Sequence, residues 1–291
     1  MPSATDRSAP RLHEVRRGDL VLTVREFAPT GDGSDATSRA PFLLLHGWPQ
    51  DGRSWDAVVP HLLAAGHPVW VPDLRGTRPE AAPRSRWSYR ASELIEDVAA
   101  IAALIGEPVH LVGHDWGAAL AWWVACDRPE LCRTLTAVSV PHTGAFLSAL
   151  VTTRQARDSW YMLAFQLPVL PELLLGDPRR AARMLEASGQ RPTVAARDAA
   201  RLTDRRIARG GLGWYRAMAL AAPRLLRTPA SVPVLQVWSD GDVAVGLESN
   251  RRAARYAPAG FRLEVLSGVS HWIPDEVPDR LAALVLDHAA S

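Results

Sequence analysis

The sequence predicts an α/β protein: a mostly parallel sheet flanked by helices, with a helical insertion. Three observations carry this expectation. Short unbroken apolar runs recur along the first half of the chain, amphipathic stretches alternate with them, and the rhythm turns to helix after helix between residues 143 and 228 before strands resume. An apolar run without alternation is what a strand buried on both faces of a parallel sheet requires.

The elements follow in order. His13–Val15 and Leu20–Phe27 read as strands around the turn Arg17-Gly18-Asp19. Thr30–Ala40, rich in Gly, Ser, Asp and Thr, reads as a flexible loop. Phe42–Leu45 is a buried strand ending at His46-Gly47, Trp55–Ala65 is helical, and Val69–Val71 is a strand ending at Asp73. Ser92–Ile105 is an amphipathic helix, Val109–Val112 a strand ending at Gly113, Ala118–Cys126 a helix and Leu135–Val140 a strand. Helices then follow one another, with breaks expected at Pro168, Pro171, Pro178, Pro192 and the Gly210-Gly211 pair. Strands return at Val232–Trp238 and Phe261–Leu266, and Asp279–His288 closes the chain as a helix. The economical organisation is a core of residues 1–142 and 229–291 with a helical cap, 143–228, inserted between two strands. Right-handed crossovers put functional loops at the C-terminal ends of the strands.

Composition narrows the class. At 291 residues, 47% hydrophobic and 22% charged, the chain has ordinary globular values. No apolar run approaches the roughly 18 residues that a membrane span needs. Met1–Pro10 is polar without an apolar signal core, which points to a cytoplasmic protein. Two cysteines, Cys126 and Cys132, support neither a disulfide framework nor a structural zinc site. Every one of the 33 basic residues is arginine, and between Thr143 and Thr228 there are 14 of them against 6 acidic residues. An anionic substrate or membrane surface is one use for such a segment; the solvated faces of arginine-rich helices are the plainer account. Its aromatics sit at helical core spacing, so nucleic-acid binding is not expected.

The chemistry centres on Gly113-His114-Asp115-Trp116-Gly117, between a strand and a helix. In that context small-x-nucleophile-x-small marks a strained turn that lifts the nucleophile above the sheet edge, against a helix N-terminus. Taken alone, the pattern also fits an aspartate capping a helix. As a nucleophile, a carboxylate attacks sp³ carbon and forms an alkyl ester of the protein, which water must then hydrolyse.

Asp242 follows one late strand in Ser239-Asp240-Gly241-Asp242, and His271 follows the next in Gly268-Val269-Ser270-His271-Trp272. The order Asp115, Asp242, His271 is nucleophile, acid, histidine. His271 is then the base that deprotonates water, and Asp242 fixes its tautomer. Asp240 is the competing acid; Asp242 is preferred because it lies beyond the turn glycine. His46-Gly47-Trp48-Pro49 supplies the other half of an oxyanion hole, through the backbone N–H groups of Trp48 and Trp116. Pro49 is a candidate for a cis bond.

With these motifs in place, nearly the whole chain past residue 11 resembles the α/β-hydrolase epoxide hydrolases. His46-Gly47-Trp48-Pro49, Asp73-Leu74-Arg75-Gly76, the Asp115 elbow, Pro141-His142 and Ser270-His271-Trp272 are in that family's style and order. The resemblance implies an α/β-hydrolase fold and opening of an epoxide by two cap tyrosines. Ser159–Pro168 is similar to the segment carrying the first, Tyr161, and Gly213-Trp214-Tyr215-Arg216 to the segment carrying the second, Tyr215. An alkoxide is a poor leaving group, and a phenol of pKa about 10 can protonate it. A small-molecule epoxide and water are the expected partners, with no cofactor or metal; a homodimer through the cap stays open. Haloalkane or haloacid dehalogenation is the alternative, although Trp48 stands where haloalkane dehalogenases commonly place an Asn, and Trp116 where the fluoroacetate type carries Arg. A non-catalytic ligand-binding homologue is the third reading. Pocket shape is expected to depend on Trp122, Phe146, Met162, Phe165 and Met218.

Overall fold

The computed structural model describes residues 9–29, 39–153, 155, 159–220 and 222–291. Most of the expected loop Thr30–Ala40 and of the N-terminal ten residues therefore lies outside the described residues.

Eight strands form one sheet: β1 (Arg11–Arg17), β2 (Leu20–Phe27), β3 (Phe42–Leu45), β4 (Val69–Pro72), β5 (Val109–His114), β6 (Cys132–Val138), β7 (Val234–Gly241) and β8 (Phe261–Ser270). Their spatial order is β1-β2-β4-β3-β5-β6-β7-β8. The β1–β2 hairpin joins β4 antiparallel, and every later pairing is parallel. Alternation explains the unbroken apolar runs, because successive side chains point to opposite faces. Leu43 and Leu45 join one core with Leu111 and Leu135, while Phe42 and Leu44 join a second with Val112 and Val237.

Twelve helices flank or leave this sheet among the described residues: α1 (Val59–Ala64), α2 (Ala91–Ile105), α3 (Trp116–Asp127), α4 (Thr143–Thr152), α5 (Trp160–Ala164), α6 (Leu170–Leu175), α7 (Pro178–Ala187), α8 (Pro192–Arg201), α9 (Arg205–Ala217), α10 (Leu247–Arg252), α11 (Ile273–Glu276) and α12 (Pro278–Ala289). Helices α2 and α3 supply the first core, and α1 and α12 the second. Helix α3 is apolar on every side, and every residue from Trp116 to Cys126 is buried. Between β6 and β7 only helices occur among the described residues.

Several boundaries differ from expectation. The Gly210-Gly211 pair does not break its helix: α9 runs through it. A Cβ on Gly210 would lie 2.4 Å from the Gly76 carbonyl oxygen, and one on Gly211 1.8 Å from Trp48 Nε1. Close approach to the core, rather than a turn, is what these glycines allow. The expected helix Trp55–Ala65 divides into a 3-10 turn, Gly52–Trp55, capped by the Asp51 carboxylate, and α1. Strand β6 ends at Val138 instead of Val140, where Ser139 turns to φ 69°. Strand β7 starts at Val234 because Pro233 has no N–H to pair.

Candidate active site

The C-terminal ends of the parallel strands bring together groups that are far apart in sequence. Asp115 sits between β5 and α3 with φ 53° and ψ −122°, a conformation that costs a non-glycine residue on the order of 1–3 kcal/mol. It persists because its surroundings leave no alternative. A Cβ on Gly113 would meet the Gly117 carbonyl oxygen at 2.2 Å, and one on Gly117 the Leu45 oxygen at 2.1 Å. Strand, turn and helix are thus pressed together about the aspartate, whose own carbonyl accepts from the N–H groups of Ala118 and Ala119.

The Trp48 backbone N–H donates to Asp115 Oδ1 at 2.9 Å, and the Trp48–Pro49 bond is cis. His271 Nε2 lies 3.5 Å from Asp115 Oδ2. On its other side His271 Nδ1–H donates to Asp242 Oδ2 at 2.8 Å. Asp242 is itself held, its Oδ1 accepting from the N–H groups of Ala244 and Val245 at 2.8 and 3.0 Å. Asp240 turns away, and its carboxylate accepts from the Gly268 N–H. The His271 carbonyl accepts from His114 Nε2–H and from the Ser139 hydroxyl, which fixes the loop that carries the imidazole.

The electrostatics of the group are coupled. Burial by itself would raise the Asp115 pKa, but the hydrogen bond and charge of His271, with the Trp116 backbone N–H, lower it below the ordinary value. Burial would likewise lower that of His271, yet the Asp242 and Asp115 carboxylates outweigh it and raise it to about 10. The two carboxylates thus favour the protonated form of the imidazole between them. Loss of the charge on Asp115 would remove part of what holds that proton.

Tyr161, on α5, and Tyr215, on α9, both face the Asp115 cavities, with ring centroids 6.2 Å apart. Tyr215 is buried edge-on against Trp48, Trp116 and Phe165. Burial, reinforced by Asp115, raises both phenols well above their ordinary pKa. Two cavities meet at Asp115, Tyr161 and Tyr215: one of about 230 Å³ reaching Phe146, Met162 and Met218, and one of about 630 Å³ reaching Phe165, Leu174, His271 and Trp272. Trp122, expected to shape the pocket, lines neither cavity: it is fully buried and packs edge-on against His142.

Sequence reasoning passed over the supports of this site. Arg201, at the end of α8, donates to the carbonyls of Pro49 and Thr77 at 2.8 and 2.6 Å and pairs with Asp51 at 3.1 Å. Buried Gln50 donates to Asp275 at 2.7 Å, joining the Trp48 loop to the His271 loop. Trp272 Nε1 donates to the Ser188 hydroxyl, and Arg191 to the Asp275 carbonyl. No local pattern marks these residues, because each partner lies many residues away.

The sequence is 28% identical to human epoxide hydrolase 4 over 258 residues, covering 84% of this chain and 70% of that protein. It is 27% identical to epoxide hydrolase A of Mycobacterium tuberculosis over 290 residues, covering 85% and 90%. The crystal structure of epoxide hydrolase A from Mycobacterium thermoresistibile superposes with a TM-score of 0.77 at 27% identity, covering 96% of this chain and 98% of that one. A family model described as the alpha/beta hydrolase fold matches residues 40–278, and the chain belongs to that family.

Proposed function

We propose that this hydrolase converts an epoxide to a vicinal diol through a covalent ester on Asp115. The observation that carries the reading is the placement of Tyr161 and Tyr215 on the same cavities as Asp115. Both phenols are held in the protonated form that an epoxide oxygen needs. The similarity to proteins named epoxide hydrolases supports the same choice of leaving group.

In the first step Asp115, kept ionised by His271, attacks a ring carbon. The C–O bond breaks and a tyrosine proton passes to the departing oxygen. Esterification removes the Asp115 charge, so the His271 pKa falls and the imidazolium gives up its proton, which replaces the one lost by the tyrosine and restores the phenol. The neutral imidazole then takes a proton from water, the resulting hydroxide attacks the ester carbonyl, and Asp242 stabilises the imidazolium that forms. The N–H groups of Trp48 and Trp116 hold the oxyanion on the Asp115 carboxyl. Collapse of the adduct expels the diol oxygen, which takes the proton of the new carboxyl group, so Asp115 returns as the carboxylate and His271 as the imidazolium. None of these steps requires a cofactor. Residues 143–228 then act as a cap that carries the acids, over a core of 1–142 and 229–291, in a cytoplasmic enzyme.

The test is turnover measured in parallel on an aryl epoxide, a bromoalkane and a nitrophenyl ester. Diol formation is expected from the epoxide, and activity confined to the bromoalkane overturns the reading. His271→Gln is expected to stop after the first step, adding one substrate mass to the intact protein. Tyr161→Phe combined with Tyr215→Phe is expected to suppress that adduct by at least a hundredfold in rate.

A further inference from the structure

Exposed apolar side chains are concentrated on one part of the molecule. Most of the large ones among the described residues lie between Leu147 and Met184, with Val243 beside them. Helix α5 presents Trp160 and Leu163, 66% and 76% exposed, and α6 presents Leu170, Leu173 and Leu174. Single exposed leucines need no explanation, whereas several drawn around one opening mark an interaction surface. Trp160, Leu170, Leu174, Met184 and Val243 also line the larger cavity. The patch is therefore the rim of the opening that leads to Asp115.

Beside that rim stands α7, which exposes Arg179, Arg180 and Arg183. Elsewhere in the insertion, Arg197, Arg201 and Arg216 are matched with Asp198, Asp51 and Glu172. The three α7 arginines, like Arg191, Arg205, Arg209 and Arg227, have no ion-pair partner among the described residues; Asp177 caps their helix within reach of their charge, and Arg180 reaches the cavity lining next to Met184. Apolar side chains including an exposed tryptophan, with arginines at their border, match an anionic bilayer: hydrocarbon below and phosphate at the headgroup level. A second copy of the chain fits less well. A two-fold contact would set this face against itself, and residues 143–228 carry 14 arginines against 6 acidic residues.

We propose that the α5–α6–α7 rim seats the protein on an anionic lipid surface, with the mouth of the larger cavity facing the bilayer. Apolar substrates that partition into lipid then reach Asp115 without crossing water. The docking stands on the surface alone; delivery of an epoxide through it rests on the reaction proposed above.

Sedimentation of the full chain with phosphatidylglycerol–phosphatidylcholine vesicles, against pure phosphatidylcholine vesicles, tests the docking. Binding is expected to the anionic vesicles only and to weaken as salt screens the arginines. Leu163→Glu with Leu173→Glu changes two exposed side chains that do not line either cavity. This pair is expected to weaken binding more than tenfold while turnover of a small water-soluble epoxide stays at the wild-type rate. Replacing Arg179, Arg180 and Arg183 by Gln should weaken it about a hundredfold. Failure to sediment, equal binding to neutral vesicles, or insensitivity to both sets of substitutions overturns the proposal. So does a dimer seen by sedimentation velocity that Leu163→Glu and Leu173→Glu abolish without any vesicle binding; the face would then be a self-interface. Because binding is read by sedimentation, a protein that docks but opens no epoxide refutes the reaction and leaves the docking intact.

Discussion

At the scale of single residues, the site works by setting buried charges against one another. His271 keeps its proton only because two carboxylates overcome its burial. Asp275, four residues on, lacks such compensation. Its burial raises the pKa to about 6, against the opposing hydrogen bond from Gln50 and charge of Arg197. An aspartate whose folded pKa exceeds its unfolded value of about 4 destabilises the fold in its charged form. That penalty is complete above pH about 6 and is relieved as the pH falls toward 4. Asp275→Asn keeps an oxygen for the Gln50 donor and removes the charge. It is expected to stabilise the protein by on the order of 2 kcal/mol at pH 8, and the gain should vanish near pH 4. Urea unfolding of both proteins at the two pH values measures it; a gain that does not change with pH would place its origin elsewhere.

At the scale of elements, the length of α8 matters because of its last residue. Arg201 serves three acceptors from two core loops, Pro49 and Asp51 on one and Thr77 on the other. The first of those loops aims the Trp48 N–H at Asp115. Removing the guanidinium leaves two buried carbonyls unpaired and takes one cation from Asp51, which retains Arg53. Arg201→Met is therefore expected to cost about 3 kcal/mol of stability and to lower kcat at least tenfold through a displaced oxyanion donor. Arg201→Lys should restore the ion pair more than the rate, since a single ammonium cannot reproduce the fork. Equal rates for wild type and Arg201→Met would show that the Trp48 loop is held by other contacts.

At the scale of the whole molecule, the helices between β6 and β7 reach the site only as far as they lie close on the sheet's loops. Helix α9 brings Tyr215 over Asp115, and the glycines on its inner face set the separation. With Gly211 so near Trp48, a methyl group has no room unless the indole or the helix moves. Gly211→Ala is expected to raise KM and lower kcat together, at a stability cost of roughly 1–3 kcal/mol. Steady-state kinetics and thermal unfolding measure both effects; unchanged kinetics would mean that the insertion can shift on the core without cost to the site.

The sheet and the tight turn at Asp115 were legible in the sequence alone. A strand buried on both faces leaves an unbroken apolar run, as in Phe42–Leu45, and an elbow is written in five consecutive residues from Gly113 to Gly117. Such signals are legible because their cause lies within one element. The turn glycine favours Asp242 over Asp240 in the sequence, but the contact of its carboxylate with His271 depends on where β7 ends beside β8, which only folding sets. Only the tertiary structure decided that Gly210 and Gly211 are contact points within a continuous helix, and that Arg201 reaches Pro49. In each case the physical cause is a partner from a distant part of the chain, and local sequence carries no record of what folding brings against it.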